Sequence, residues 1–435
     1  MNRILLGFGL LVGTAMLATN CTTTGGVGNN PKGTNTHTSL PANTATPTAI
    51  PSASPTSICL AATKRLWVTS KAGGALVSIL PFNGGSWVPS IALPLPSGGA
   101  HGIGFVPSTG KVFVSYYDAS ASQSKARVYV ANSCGSSFTD WNINNINGGS
   151  PVDGQVVVDD MTQGGVWVCC RPGSTVNEFD LGGTSAPGIC SYSGGAAPQV
   201  FGGVGPGIGV FFQTNFVLTS FVGGNCFSCT STTLTDIATW ASEGPSAFGS
   251  TTLASAAISG SDLVMRLFAV SCSSGGASTT TILAGVGPAE PFHALFVPGA
   301  VSSGSGNGAV FVSHGGFGQP GRIVSVPVNS LTPGASAVAA IPAPFIPRGL
   351  AFDEGATSNP DVFCVAFNPG GGDSHVFQLS SPYTSAIDIG AVSGATDGVG
   401  IAFDPPTGRP TRPTPIPIPT PRRGDSELRP GRHGG

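Results

Sequence analysis

The chain has 435 residues, of which 65 are glycine, 37 are proline and only 9% are charged, against about 25% in a typical soluble domain. The shortage of Lys, Glu and Arg argues against long surface helices, whereas frequent Gly and Pro turns favour many short strands. The net charge of −2 gives no reason to expect nucleic acid or an acidic substrate as a partner.

Residues 1–20 have the pattern of an export signal. Arg3 supplies the positive charge, and Ile4–Leu17 form an apolar stretch that is shorter than the about 20 residues of a membrane-spanning helix. The segment that ends in Cys21 resembles a bacterial lipoprotein signal, although that family prefers Leu where Ala18 stands and Gly or Ala where Asn20 stands. The resemblance implies a lipidated Cys21 that anchors the protein to a membrane, and ordinary secretion is the alternative.

Residues 21–62 are rich in Thr, Pro, Ser and Asn, and this composition predicts a disordered linker. Cys59, near its end, could attach the linker to the folded part. The ten cysteines of the chain suit an oxidising compartment in which disulfides form. Cys226 and Cys229 are interpreted as a loop disulfide or two thiols, because a zinc site would need a second pair with similar spacing.

Between residues 63 and 404 a pattern of an apolar strand followed by an aromatic strand repeats seven times. The first, inner strands of the copies are predicted at residues 101–107, 153–159, 206–212, 252–258, 292–298, 348–353 and 399–404. The clear second strands are predicted at residues 66–69, 112–115, 166–169, 216–219, 310–313 and 362–365, and five of these six carry Phe or Trp at their second position. The spacing of roughly 40 to 55 residues is that of a four-stranded propeller blade.

Two copies of the repeat have nearly the same sequence. Residues 102–110 read Gly-Ile-Gly-Phe-Val-Pro-Ser-Thr-Gly, and residues 400–408 read Gly-Ile-Ala-Phe-Asp-Pro-Pro-Thr-Gly. The second copy stops where its partner strand should begin, and Arg65–Val68 at the other end of the domain supply that strand. The sequence therefore predicts an all-β, seven-bladed β-propeller closed by pairing its N-terminal strands with a C-terminal inner strand, with a β-sandwich or β-solenoid as the alternative.

The repeat also predicts how the blades pack. A strand between two stacked blades is covered on both sides, which explains near-continuous apolar runs in place of strict alternation. We expect the recurring aromatic residue to fill the gap between neighbouring blades.

Residues 405–435 are rich in Pro and Arg. Alternating prolines between Pro413 and Pro421 favour an extended polyproline II conformation. Six arginines against two acidic residues make this tail basic, so it could contact an anionic polymer or lipid. The simpler interpretation is a solvated, disordered tail.

The phrase at residues 400–408, together with the aromatic–Val strands, resembles bacterial NHL- and YVTN-type β-propellers over residues 64–404. Members of those families include protein- and carbohydrate-binding modules, surface-layer proteins, lyases and lactonases. The resemblance therefore implies an architecture and no single activity.

In a propeller, the residues just before the innermost strands face one mouth of the central channel. Here those positions hold His101, Asp153, His293, Arg348 and Asp397. Two imidazoles, two carboxylates and a guanidinium could bind an anionic or sugar ligand, or transfer protons as general acid and base. The simpler interpretation is that they cap strand ends and solvate the channel.

Other polar residues give weaker signals. Asp353 and Glu354 are adjacent at the end of an inner strand, where a turn explains them better than the clustered acids of a calcium site. His314 is predicted on a loop without a nearby metal-ligating partner. The sequence thus predicts neither a metal nor a cofactor.

These features together predict an exported, lipid-anchored surface propeller that binds a protein or carbohydrate ligand without catalysis. Two alternatives stay open: a propeller lyase or hydrolase that uses His101 and His293, and a structural component of a surface layer or matrix.

Overall fold

The computed structural model describes most of two segments and, between them, a set of strands. The described residues are 55–72, 77–93, 99–107, 109–142, 252–269, 277–287, 290–300, 308–316, 318–329, 332–333, 335–356 and 358–405, together with the strands between residues 155 and 243. The predicted export signal, Cys21, Asp153 and the tail from residue 406 onward lie outside the described residues.

Two short helical segments are described, α1 (Pro55–Leu60) and a 3-10 turn (Ala131–Ser133). Neither of them is long and apolar enough to cross a membrane. A disulfide joins Cys59 of α1 to Cys134, with Cα atoms 6.0 Å apart. The end of the segment that the sequence assigns to the linker is thus a helix attached to the folded part, as the position of Cys59 suggested.

Thirty strands make up nearly all the remaining regular structure of the described residues. The first fifteen are β1 (Lys64–Ser70), β2 (Val77–Asn83), β3 (Ser86–Trp87), β4 (Ile91–Leu93), β5 (Ala100–Val106), β6 (Lys111–Asp118), β7 (Gln123–Val130), β8 (Phe138–Asn142), β9 (Gln155–Asp159), β10 (Gly165–Cys169), β11 (Thr175–Asp180), β12 (Gly188–Ser193), β13 (Pro198–Gly202), β14 (Ile208–Phe212) and β15 (Val217–Val222). The others are β16 (Asn225–Thr230), β17 (Ser242–Glu243), β18 (Thr252–Ser259), β19 (Asp262–Ala269), β20 (Ala277–Leu283), β21 (Glu290–Pro298), β22 (Gly308–Gly316), β23 (Gln319–Asn329), β24 (Thr332–Pro333), β25 (Ala337–Ala340), β26 (Ile346–Phe352), β27 (Val362–Phe367), β28 (Ser374–Leu379), β29 (Ile387–Val392) and β30 (Gly398–Asp404).

The strands form eight open antiparallel sheets, which are numbered here in chain order. They are sheet 1 (β1–β4 and β30), sheet 2 (β5–β8), sheet 3 (β9–β12), sheet 4 (β13–β14), sheet 5 (β15–β16), sheet 6 (β17–β20), sheet 7 (β21–β25) and sheet 8 (β26–β29). In sheet 1, β1 pairs with β30, so that Arg65 lies opposite Asp404 and Val68 opposite Ile401. Strands from the two ends of the domain therefore share one sheet.

One strand of each of seven sheets lies beside a strand of the next sheet. In order, β5 lies beside β9, β9 beside β13, β13 beside β17, β17 beside β21, β21 beside β26, β26 beside β30 and β30 beside β5. The exception is sheet 5, whose β15 lies beside β14 of sheet 4. These seven strands are called the inner strands below.

Two inner strands differ from the sequence prediction. The structure adds β13 beside β14 and the two-residue β17 beside β18, so residues 208–212 and 252–259 form second strands of their sheets. A strand as short as β17 carries too few residues for a periodic apolar pattern, which is why the sequence gives no signal for it.

Both faces of sheet 1 are buried. In β1, Leu66 and Val68 pack in a cluster with sheet 8, whereas Trp67 between them packs in a cluster with sheet 2. Successive side chains of a strand point to opposite faces, so a sheet between two others needs apolar residues at every position. This accounts for the continuous apolar runs in the sequence.

The recurring aromatic residues do fill the spaces between sheets. Phe363 of sheet 8 has its ring centre 5.4 Å from that of Trp87 and 5.6 Å from that of Phe403, both in sheet 1. Trp67 of sheet 1 contacts Tyr129 of sheet 2 in the same way, at 5.3 Å. The predicted packing role of these residues is confirmed at these positions.

Candidate functional site

The predicted site residues lie where inner strands begin. His101 is the second residue of β5, His293 lies near the start of β21, Arg348 is the third residue of β26, and Asp397 immediately precedes β30. Asp153 lies outside the described residues. Because β30 lies beside both β5 and β26, and β21 beside β26, the four described positions belong to consecutive neighbours among the inner strands.

A β-bulge interrupts the ladder at each of these positions. The pairing register shifts between Ala100 and Ile103 in β5, between Pro291 and His293 in β21, between Pro347 and Leu350 in β26, and at the pair of β30 with Thr69 and Ser70. A bulge redirects a side chain and is common next to functional sites. Four inner strands therefore share one local distortion at the end where the sequence places the site.

The register of the ladders identifies which residues are equivalent in the repeat. Ile103, Ala294, Leu350 and Ile401 all lie opposite the residue that follows the aromatic of the second strand. Counting back by two residues, Arg348 is equivalent to His101, and Phe292 is the equivalent residue of β21. His293 instead occupies a position that is Gly102, Gly349 or Gly400 in the other sheets. Apolar runs align almost equally well when they are shifted by one residue, so the sequence left this register open.

Buried hydroxyl groups contact the backbone at the bulges of sheets 1, 2 and 7, whereas sheet 8 has Val365 at the equivalent position. The N–H of Gly102 donates to Oγ of Ser115 (3.0 Å), and the N–H of Gly400 donates to Oγ1 of Thr69 (3.1 Å). Ser313, the equivalent residue in sheet 7, donates to the carbonyl of Arg348 at 2.6 Å, and its Oγ lies 3.4 Å from the carbonyl oxygen of His293. Sequence reasoning missed these residues, although aromatic–Val–Ser/Thr recurs at residues 67–69, 113–115 and 311–313.

His293 is tied to the neighbouring sheet by its imidazole ring. The N–H of Leu350 donates to Nδ1 of His293 at 2.9 Å. Burial lowers the pKa of His293 to about 4, so the ring is neutral at physiological pH. A neutral ring that accepts at Nδ1 carries its proton on Nε2. His293 can therefore donate a hydrogen bond from Nε2 but has no free lone pair there to act as a base.

Arg348 lies against two aromatic rings from different sheets. Its guanidinium carbon is 3.9 Å from the ring centre of Phe292 in β21 and 4.5 Å from that of Phe367 in β27. Cation–π contacts of this kind stabilise the charge of the guanidinium. Burial also raises the pKa of the Cys364 thiol to about 12, and the backbone of Arg348 opposes this shift.

Asp397 is held by its backbone beside sheet 1. Its carbonyl accepts the N–H of Lys71 at 2.9 Å, and its N–H donates to Oγ of Ser70 at 3.2 Å. Its Oδ1 is buried and has no hydrogen-bond partner in the part of the chain that the structure describes. A Cβ atom at Gly349 would lie only 2.6 Å from the carbonyl oxygen of Val399, so β26 and β30 are in direct backbone contact here.

The structure thus brings His293 and Arg348 together through Leu350, Ser313 and Phe292. Asp397 immediately precedes β30, which lies beside the strand of Arg348, and His101 lies near the start of β5, which lies beside β30. Among the described residues no three His, Cys, Asp or Glu side chains are grouped as a metal site would require.

Two other polar residues have structural partners. Asp353 accepts the N–H of Gly355 at 3.0 Å and pairs with Lys64 at 3.3 Å, which fits the turn predicted for it. His314 is not on a loop: it lies within β22, which extends to Gly316, and it is fully buried.

Comparisons with known proteins agree on the fold. No family model matches the chain, and no curated protein matches it. A solved protein from Lactobacillus plantarum is 13% identical, with 78% of this chain and 99% of that chain covered and a TM-score of 0.55. A candidate 6-phosphogluconolactonase from Bacteroides fragilis is 9% identical, with 78% and 98% covered and a TM-score of 0.51. Virginiamycin B lyase from Staphylococcus aureus is 11% identical, with 74% of this chain and 94% of that chain covered and a TM-score of 0.43.

The chain is therefore a nearly all-β protein with a β-propeller-like fold. At these levels of identity the likeness establishes the architecture and no activity.

Proposed function

We propose that the chain is a single seven-bladed propeller whose ring is closed by sheet 1. Two observations support this count. Seven inner strands follow one another as neighbours and return to the first. Sheets 4 and 5 hold only two strands each and lie side by side, so together they would make one blade of ordinary size.

We propose further that the protein is exported and anchored at the cell surface through Cys21. The disulfide between Cys59 and Cys134 supports export, since such bonds persist mainly in oxidising compartments. Metabolic labelling with a palmitate analogue tests the anchor: the wild type takes up label and the Cys21→Ser variant does not. Equal labelling of the two proteins would disprove lipidation at Cys21.

The function that the geometry supports best is non-catalytic binding of a protein or carbohydrate ligand at the mouth formed by the starts of the inner strands. The observation that carries this proposal is the Leu350–His293 hydrogen bond, which occupies Nδ1 of the imidazole. A general base needs a free lone pair aimed at its substrate, and His293 offers an N–H donor instead. The site is thus better equipped to hold a ligand than to remove a proton from it.

A binding screen with matched variants tests this role. The full chain is applied to arrays of immobilised glycans and peptides, beside a His293→Asn/Arg348→Gln variant and an Ile387→Ala variant. Ile387 is 62% exposed on the outer strand β29, so its replacement controls for general surface effects. We expect the control to keep the ligands of the wild type and the mouth variant to lose them. Undiminished binding by the mouth variant would contradict the proposal.

A further inference from the structure

We propose that the mouth binds a carboxylate group, which lies along the edge of the Arg348 guanidinium and accepts a hydrogen bond from Nε2 of His293. This inference rests on the binding role proposed above and adds the chemical class of the ligand. It names the part of the ligand that the described residues would recognise.

Two aromatic rings lie against the guanidinium of Arg348. Phe292 and Phe367 lie 3.9 and 4.5 Å from the guanidinium carbon. With rings over the guanidinium, a ligand approaches along the edge that carries the N–H groups. A carboxylate is planar and matches two parallel N–H groups of that edge, whereas an ammonium of lysine could offer only a point charge.

The tautomer of His293 is fixed by its hydrogen bond with Leu350. Since Leu350 donates to Nδ1, the neutral ring presents only a donor to anything bound at Nε2. Arg348 also has donors alone. A ligand group that meets both must accept hydrogen bonds from both, and the two oxygens of an ionised carboxylate provide only acceptors.

Contacts between sheets 7 and 8 hold both His293 and Arg348. One hydroxyl, that of Ser313, donates to the carbonyl of Arg348 and lies 3.4 Å from that of His293. Phe292, the bulged residue of β21, stacks on Arg348. Both donors therefore stand on rigid backbone that is fixed by contacts between sheets 7 and 8, which lowers the ordering cost of binding an anion.

Titration calorimetry of the full-length protein with simple probes tests the inference. The probes are D-glucuronate, D-glucose as its uncharged counterpart, and inorganic phosphate as a tetrahedral anion. We expect heat of binding from glucuronate and much less from the other two. Loss of a charge-assisted, bidentate contact in Arg348→Gln should weaken glucuronate binding about tenfold or more.

Two further variants separate recognition from charge and folding. Lys111 lies opposite Val106, the last residue of β5, and so at the end of that strand away from His101. Lys111→Gln removes one positive charge there and should bind glucuronate like the wild type. Arg348→Lys keeps the charge without the planar edge, so it should also bind weakly while its thermal unfolding matches the wild type. If Arg348→Gln does not fold, Arg348→Lys takes its place in the comparison.

Four results would overturn the inference: no binding of glucuronate, equal binding of phosphate, equal binding of glucose, or full affinity in both Arg348 variants. The failure of the inference can be told apart from failure of the binding role. If glucuronate does not bind but array ligands still depend on His293 and Arg348, only the carboxylate assignment is wrong. If array binding ignores both residues, the binding role itself is wrong.

Discussion

A single backbone N–H determines the chemistry of His293. The donor is Leu350, and burial adds a penalty for the charged ring that lowers its pKa from 6.5 to about 4. The unfolded chain then binds a proton in a pH range where the folded protein does not. Stability from this residue is complete above pH 6.5 and is lost as the pH falls towards 4, by up to about 3 kcal/mol.

We therefore predict that urea unfolding at a series of pH values will show a fall in stability between pH 6.5 and 4 that is smaller in His293→Asn. Asparagine can still accept the N–H of Leu350 but does not titrate, so the comparison isolates protonation from the loss of a hydrogen bond. A variant that loses stability as steeply as the wild type over this range would show that other groups cause it.

The residue scale is also where the sequence was least informative. His101 and Arg348 could be placed at strand starts, because polar residues before an apolar run stand out. The sequence could not predict that Phe292, and not His293, is the residue equivalent to His101 and Arg348, because this depends on a bulge that shifts the register by one residue. Pairing of Ser313 with a carbonyl in another sheet is a contact between distant segments, and no local pattern specifies it.

At the scale of the element, the bulge and its hydroxyl form one unit. In sheet 2, two residues of β5 lie opposite Ser115, and the serine supplies the acceptor that the interrupted ladder cannot offer to Gly102. Sheet 1 uses Thr69 for the same purpose with Gly400. Sheets 1, 2 and 7 thus carry a hydroxyl residue at this strand position, whereas sheet 8 has Val365 there.

This unit predicts the effects of two substitutions at one position. Ser115→Ala leaves the buried N–H of Gly102 without its acceptor and should lower the free energy of unfolding by about 1–3 kcal/mol. Ser115→Thr keeps the hydroxyl, as Thr69 does naturally, and should cost much less. Both values come from urea unfolding followed by circular dichroism, and equal stability of the two variants would argue against the role of the hydroxyl.

For whole strands the sequence did better. The second strands 66–69, 112–115, 310–313 and 362–365 lie within β1, β6, β22 and β27, because a strand covered on both faces must be apolar throughout. The inner positions of sheets 4 and 6 were assigned to the wrong strands. β13 contains Pro and Gly, and β17 has two residues, so neither resembles a buried strand in the sequence.

At the scale of the whole molecule, the pairing of β1 with β30 joins residues more than three hundred positions apart. The repeat predicted this pairing, because the last copy of the repeat lacks a second strand and the strand at residues 66–69 has no inner strand before it. Within sheet 1 the buried Arg65 and Asp404 form an ion pair at 3.1 Å, and burial raises the pKa of Asp404 against the opposing effect of that arginine.

Two truncations of the otherwise full chain test how much the fold depends on this pairing. A chain that ends at Pro405 keeps β30 and should unfold at the same temperature as the wild type. A chain that ends at Thr396 loses β30, and with it the burial of Ile401 and Phe403, which are 6% and 4% exposed. Each such side chain contributes about 1.5–3 kcal/mol on burial, and Arg65 would also lose its partner.

A loss of that size approaches the total stability of an ordinary domain, about 5–15 kcal/mol. We therefore expect the shorter chain to lack a cooperative thermal transition in near-ultraviolet circular dichroism, where Trp67, Trp87 and Phe363, whose rings contact rings of neighbouring sheets, report on packing between sheets. The longer chain is the control for removal of the basic tail. If the chain that ends at Thr396 melted in the same single transition as the control, the stability of the domain would not depend on the pairing of β1 with β30.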